Sequence, residues 1–462
     1  MKDRKRRLEL YSFYDHTGIE RHLERMAEKG WMLEKVENNI WHYRRIKPEK
    51  LTFFVTYFPR ASELDPEPGE EQKIFFDFCE HTGWKLAAVS AQQQIFYNES
   101  PDPVPIATDP QVELETVRRS ARKSFLPGIW VLLACGLAVT VMSAIRLRQD
   151  PIGALSSAAW LFSSLAWLLV ILYGASELTG YFAWCHGAKK AAARGEFLET
   201  SSRVWLGKVI LAVTLAGLLY CLANMGMTGP GWQRLVSVGT VCGILGIFAI
   251  GWWLKGFLKR RKLKPGANRT LTFLFIFAAY LAFVGLMVYA GLKLAEREIE
   301  KSRGAAAGGY YQEPPLSVED LLEVQPEFYE TRTTEDRSPL LGCLEVNQMP
   351  DWEAAEARTY PYLQYTIVDV KAPFLYEICK EQLFKERDES EDSRVLEGYK
   401  RIYKPCDPGS WGAREAWTLW IQDAGWEANV YLLCYPDRIV EIWFGWVPTE
   451  EQMRTAGEML AS

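Results

Sequence analysis

Five apolar runs, each about the length of a bilayer crossing, follow one another between residues 125 and 293. A helix rises 1.5 Å per residue, so roughly 20 residues cross the hydrocarbon core, and in lipid only helices or closed barrels satisfy their own backbone. The runs cover 125–145, 154–175, 204–225, 235–254 and 271–292. A soluble domain would have to bury all five in succession. The expectation is a five-helix transmembrane bundle.

Charge divides the chain at the same places. By count, residues 1–124 carry a net charge of about −1, residues 125–303 about +12 and residues 304–462 about −16. Basic loops are retained on the cytoplasmic side. Arg118, Arg119, Arg122 and Lys123 precede the first run, Lys189 to Lys208 separate the second from the third, and Lys255 to Arg269 separate the fourth from the fifth. The opposite connections are poorer in lysine and arginine. Five spans therefore predict a multi-pass plasma-membrane protein with its N-terminus in the cytoplasm and its C-terminus outside. The charged start "MKDRKRRLEL" has no apolar core behind it and reads as no secretory signal.

Residues 1–98 read as a cytoplasmic α+β domain built from two β-α-β-β repeats, ferredoxin-like in arrangement. Helix-like stretches end at Gly30 and Gly83, and each is followed by tryptophan, Trp31 or Trp84, at the start of an apolar strand. Alternation predicts strands over 8–15 and 51–58, and a helix over 70–82 with Ile74, Phe75, Phe78 and Cys79 inward. The two repeats are expected to share one antiparallel sheet. Both tryptophans read as core. Residues 99–124 read as a proline-rich acidic linker and 294–315 as a second linker. Residues 316–462 read as an extracytoplasmic α+β domain with strands at 362–370 and beyond 398, a helix over 374–387, and a capping box of Thr449 and Gln452.

Histidine occurs only at 16, 22, 42, 81 and 186, all on the expected cytoplasmic side. Histidine-based hydrolysis and histidine-ligated zinc are thus excluded from the outer domain. His16 and His22 do not share a helix face and read as surface residues. No phosphate loop, nucleophile elbow or Cys-x-x-Cys is present, so no catalytic, cofactor or metal residues are assigned. Cys343, Cys379, Cys406 and Cys434 face the oxidising side, where disulfides or buried thiols are both compatible with their scatter. Two intramembrane polar residues stand out, Glu177 and Asn224. Glu177 reads either as a proton or cation site or as a carboxylate reaching water near the inner interface. Gly239 and Gly243 form a small-xxx-small step for helix packing.

The segment "YSFYDHTGIERHLERMAEKGWMLEKV", followed by aromatic strands and the second Gly-Trp, resembles a bacterial family of unknown function, DUF2812. The match rests on Phe13, Tyr14 and Asp15, the Ile19-Glu20 pair, the helix end "LERMAEKGW" and the glycine at 83, over residues 8–98. The resemblance implies linkage to several membrane spans and supplies no site residues. The resulting expectation is a non-enzymatic sensing or regulatory protein coupling an outer domain to a cytoplasmic interaction domain. The alternative is a membrane enzyme or transport-associated subunit using polar residues of the spans. Expected partners are membrane lipids, a cytoplasmic protein bound through residues 1–98 and a second copy of the chain, with no nucleic acid.

Overall fold

The computed structural model describes residues 3–37, 39–62, 65, 67–201, 204–225, 231–304, 314–325, 329–350, 361–388, 401–421 and 425–461. They fall into two compact units. One comprises 1–140, 166–217 and 241–285, and the other 141–165, 218–240 and 286–462.

In the first unit the repeat is plain. β1 (Arg4–Leu8), α1 (His16–Glu28), β2 (Trp31–Glu37) and β3 (Ile40–Arg45) are followed by β4 (Thr52–Tyr57), α2 (Glu70–His81), β5 (Lys85–Ser90) and β6 (Gln93–Asn98). Both repeats pair their strands in the same antiparallel order, β1-β3-β2 and β4-β6-β5. Gly30 and Gly83 end their helices at φ +78° and +87°, a conformation that costs a side-chain-bearing residue about 1–2 kcal/mol. Three residues on, each second strand carries a bulge, between Leu33 and Lys35 and between Leu86 and Ala88.

The expected single sheet is instead two three-stranded sheets, whose edge strands β2 and β5 lie side by side. Those are the two bulged strands. A bulge bends the strand and interrupts its hydrogen-bonding edge, so the sheets abut there without a ladder. The other edge of the second sheet is covered by α1. Glu20 accepts the Val55 N–H at 2.8 Å, and Glu24 accepts that of Phe53 at 3.5 Å. Side-chain acceptors thus occupy the donors that an open β4 edge would expose.

Two local expectations are corrected. The strand predicted over 8–15 is displaced to Arg4–Leu8, because Glu9, Ser12 and Asp15 are buried for polar contacts and Asp15 caps α1 by accepting the Gly18 N–H at 3.1 Å. On α2, Ile74 and Phe78 point outward, 66% and 56% exposed, rather than inward. Trp84 and Phe96 fill the space beneath the helix with Cys79, Phe75 and Phe76, one step round its circumference. Trp84 is core, as expected. Trp31 is half-buried, with Lys5 and Arg45 over its ring.

The first linker is largely helical. Asp109 caps α3 (Pro110–Ser120), which continues through a π-helical turn, Ala121–Phe125, into α4 (Leu126–Gln149). α5 (Pro151–Ser156), α6 (Ala158–Ala192), α7 (Val204–Met225), α8 (Gly231–Arg260) and α9 (Pro265–Gly304) follow. α9 takes up part of the second expected linker, of which 305–313 lie outside the described residues. Among the described residues, four helical stretches are long and apolar enough to cross a membrane: Pro110–Gln149, Ala158–Ala192, Cys242–Arg260 and Gly266–Leu294. Val204–Gly217 is a shorter apolar helix.

In the second unit, seven strands form one antiparallel sheet in the order β10-β11-β12-β13-β9-β8-β7. These are β7 (Tyr329–Arg337), β8 (Leu341–Pro350), β9 (Leu363–Val370), β10 (Arg401–Cys406), β11 (Glu415–Ile421), β12 (Trp426–Cys434) and β13 (Arg438–Phe444). α11 (Glu450–Ala461) covers one face through Ala456 and Leu460, above Trp411, Tyr431 and Phe444. Its N-terminus carries the expected capping box, the Thr449 N–H reaching Gln452 Oε1 at 2.9 Å and the Gln452 N–H reaching Thr449 Oγ1 at 3.3 Å. α10 (Tyr376–Asp388) covers the other face, together with α5, whose Ile152 and Leu155 join Cys379, Leu383, Val368 and Ile439. Polar contacts fix α5 there. The Ile152 N–H donates to Gln382 Oε1 at 2.7 Å, and Ser338 Oγ donates to the Leu155 carbonyl at 2.6 Å. Cys343, Cys379, Cys406 and Cys434 are free thiols.

Candidate functional site: the joint between the repeat and the apolar helices

Glu177 is the only acidic residue in α6, and it is 8% exposed. A buried carboxylate needs a partner, and Glu177 has one in Ser12, whose Oγ donates to Oε1 at 2.8 Å. Ser12 is 5% exposed, so neither group is presented to a substrate. The carboxylate does not reach water as expected; the segment between β1 and α1 covers it. That segment continues onto the apolar side of α6. Tyr14 stacks on Trp184 with centroids 6.0 Å apart and meets Tyr181 edge-on at 5.9 Å, while Phe13 stacks on Phe125 at 5.6 Å. Gly180 leaves room for the Tyr14 hydroxyl, which any Cβ there would overlap.

Polar pairs flank this aromatic plug. His16 Nε2 lies 2.9 Å from Glu113 Oε1 of α3, and its Nδ1 is 3.1 Å from the Tyr14 carbonyl. Thr17 and Thr200 exchange bonds, each backbone N–H donating to the other's hydroxyl, at 3.0 and 2.7 Å. Arg21 pairs with Glu199 at 3.1 Å. Further along, buried Glu9 meets Arg7 at 3.0 Å, His22 at 3.4 Å and Lys208 of α7 at 3.9 Å. His22 also lies 3.1 Å from the Tyr43 hydroxyl. The expectation of surface histidines is therefore overturned. His16 and His22 are 3% and 9% exposed, because helix position alone does not reveal carboxylates arriving from α3 and from residue 9.

Burial and pairing set the protonation of the joint. Burial pushes the His16 imidazole down, but the hydrogen bond and charge of Glu113, with Glu20 adding, carry it above its ordinary value overall. Glu20, next in the same helix face, is pushed up to about 7 by burial, against the opposing bond from Val55 and the charge of His16. Glu9 is lowered overall: burial raises it, and His22, Arg7 and Lys208 outweigh that.

The other sequence-selected residues do not join this constellation. Asn224 has its side chain outside the described residues. Gly243 packs against Phe283 of α9, and Gly251, eight residues on, packs against Ile276; Gly239 faces open space. The close approach of α8 and α9 thus runs over Gly243 and Gly251, since a seven- or eight-residue step returns to one helix face as a four-residue step does. Ser12, Tyr14, Glu113 and Thr200 escaped prediction as site residues. The Phe13-Tyr14-Asp15 pattern and the capping spacing from Asp15 to Gly18 were the local signals near them.

Among the described residues no group of three or more histidine, cysteine, aspartate or glutamate side chains is arranged to hold a metal. Two grooves among the described residues differ in character. One of about 240 Å³ between α8 and α9 is walled by Ile244, Phe248, Phe273 and Phe277. The other, about 320 Å³ on the sheet of the second unit, is lined by Thr334, Glu345, Asn347, Gln364, Glu441 and Trp443. Neither includes Glu177. What the joint can do chemically is hold: it fastens α1 and its approach to α3, α6 and α7 through matched charges and aromatic packing.

No curated protein and no solved structure matches this chain. Residues 15–129, from the cap of α1 to the first turn of α4 and so including both partners of the His16–Glu113 pair, match the family described as a protein of unknown function, DUF2812.

Proposed function

We propose that the chain is a five-span membrane protein that transmits a conformational signal between its C-terminal and N-terminal domains without catalysing a reaction. One observation carries this reading. α6 is held at both ends: Trp160 and Leu161 pack with α5 and α10 on the C-terminal sheet, and Glu177, Tyr181 and Trp184 bind the approach to α1. The two grips, at residues 160–161 and 177–184, fall on one helix. A rigid element gripped by a domain at each end passes a displacement at one to the other.

The topology proposed here is of the same kind. Counting α7 as a span gives five, an odd number sets the two termini on opposite sides, and the basic loops favour the N-terminus in the cytoplasm. The α4–α6 connection packs with the C-terminal sheet, whereas Thr200, between α6 and α7, and Lys262, between α8 and α9, bond to residues of the N-terminal domain. The exposed Ile74 and Phe78 of α2 offer a cytoplasmic partner an apolar contact, and a second copy of the chain is a further expected partner.

Deleting residues 1–98 and recording transcripts tests the role, with Glu177→Ala as the finer probe. Transcript changes in both strains support signalling through α6. Unchanged transcripts beside a lost transport phenotype would transfer the function to the spans. A reporter fused after Ser462 should be active only outside the cytoplasm, and activity of a cytoplasm-only reporter there would reverse the topology.

A further inference from the structure

β1 is a run of cations, Arg4, Lys5, Arg6 and Arg7, ending on Leu8. Its register with β3 sets Arg4 opposite Arg44, Arg6 opposite His42 and Leu8 opposite Ile40 on one face of the sheet, while Lys5 and Arg7 share the other face with buried Tyr43 and Trp41. β2 adds Lys35 beside His42. The outer face is therefore graded. At one end Leu8 and Ile40 are 46% and 47% exposed, and towards the other stand Arg6, Arg4 and Arg44.

Like charges directly opposite one another destabilise a strand pair, and Arg4 against Arg44 is such a pair. Arg4 has Glu34 at 3.2 Å, and Lys35 and His42 share Glu37. Arg6 and Arg44 have no ion pair among the described residues. The face thus carries guanidinium charge that its own carboxylates leave unbalanced, which an external anion would offset.

The surroundings point to the anion's source. Leu8 is followed by Glu9, which Lys208 of α7 approaches, and by Leu10, which lies over Gly207. α7 starts at Val204, and Trp205 is 65% exposed. The apolar end of the face adjoins the start of a membrane helix and the cationic end leads away from it. A bilayer interface has that same order, acyl boundary first and phosphates beyond.

We propose that the outer face of β1-β3-β2 rests on anionic phospholipid, with Leu8 and Ile40 in the interface and Arg4, Arg6 and Arg44 on headgroup phosphates. A second copy of the same face is disfavoured as occupant, since it would set arginines against arginines.

The test uses the full chain in nanodiscs of phosphatidylcholine alone or mixed with phosphatidylglycerol, with p-benzoylphenylalanine in place of Ile40. Illumination should yield more lipid adducts in the mixed discs than in the neutral ones, phosphatidylglycerol adducts among them by mass, and R4E/R6E/R44E should reduce that excess by about fivefold per arginine. Should the triple variant fold poorly, molar salt applied to the chain with native arginines supplies the same comparison and should also suppress the adducts. Equal yields in neutral and anionic discs, or adducts confined to protein, would overturn the proposal.

Discussion

At the scale of single residues, the joint depends on side chains that are costly to bury alone. Ser12→Ala leaves the Glu177 carboxylate without its donor and should destabilise the first unit by about 1–3 kcal/mol, whereas Glu177→Gln retains an acceptor for Ser12 and should cost less; thermal unfolding in nanodiscs ranks the two. The pH dependence has a definite sign. His16 is raised in the folded chain, so its contribution is complete below the unfolded value near 6.5 and is lost as pH rises through the folded value. Glu20, raised from 4.5 to about 7, likewise contributes fully below 4.5 and loses that contribution as pH rises through about 7. Stability should therefore fall as pH rises from about 4.5 through about 7, with the His16 part of the fall lying above the ordinary imidazole range. Glu20→Gln should flatten the lower part of that fall and His16→Gln the upper; a profile that rises across the window in the unsubstituted chain would refute the assignment.

Secondary-structure elements show what the duplication conserves and what it does not. Both repeats keep the strand order, the positive-φ glycine and the bulge, yet the two glycines are unequal in their surroundings. A Cβ at Gly30 would come within 2.9 Å of the Ile46 carbonyl oxygen, and one at Gly83 within 3.3 Å of the Asn98 side chain. Gly30→Ala should cost more than the conformational 1–2 kcal/mol, and Gly83→Ala close to that amount, measurable as separate shifts in thermal unfolding. The edge of β4 gives a second test. Glu20→Ala removes the acceptor of the Val55 N–H and should speed hydrogen exchange at Val55 and Phe53 well before that of β6, which is paired on both sides.

For the whole molecule, the C-terminal sheet is completed by a segment that precedes it by some 170 residues in the sequence. Ile152 is 5% exposed within the cluster that also contains Cys379 and Ile439. Ile152→Ala should lower the stability of the C-terminal domain by about 2–5 kcal/mol, although the residue lies between two helices long and apolar enough to cross a membrane; limited proteolysis between β7 and α11 reports the loss.

What the sequence determined by itself is whatever rests on local periodicity and composition: the long apolar helices, the Gly-Trp seams of the repeat, the Thr449–Gln452 cap and the contrast of charge between the three parts of the chain. Each is a property of neighbours within a turn or a strand. The tertiary structure alone decided which polar residues meet. His16 and Glu113 are nearly a hundred positions apart, Ser12 and Glu177 farther still, and β7, rich in Thr and Glu, joins the sheet only by pairing with β8, which pairs in turn with β9. A buried ion pair or a hydroxyl-to-carboxylate bond is favourable only where the fold removes water from both partners at once, and that desolvation is a property of the packed chain rather than of either residue.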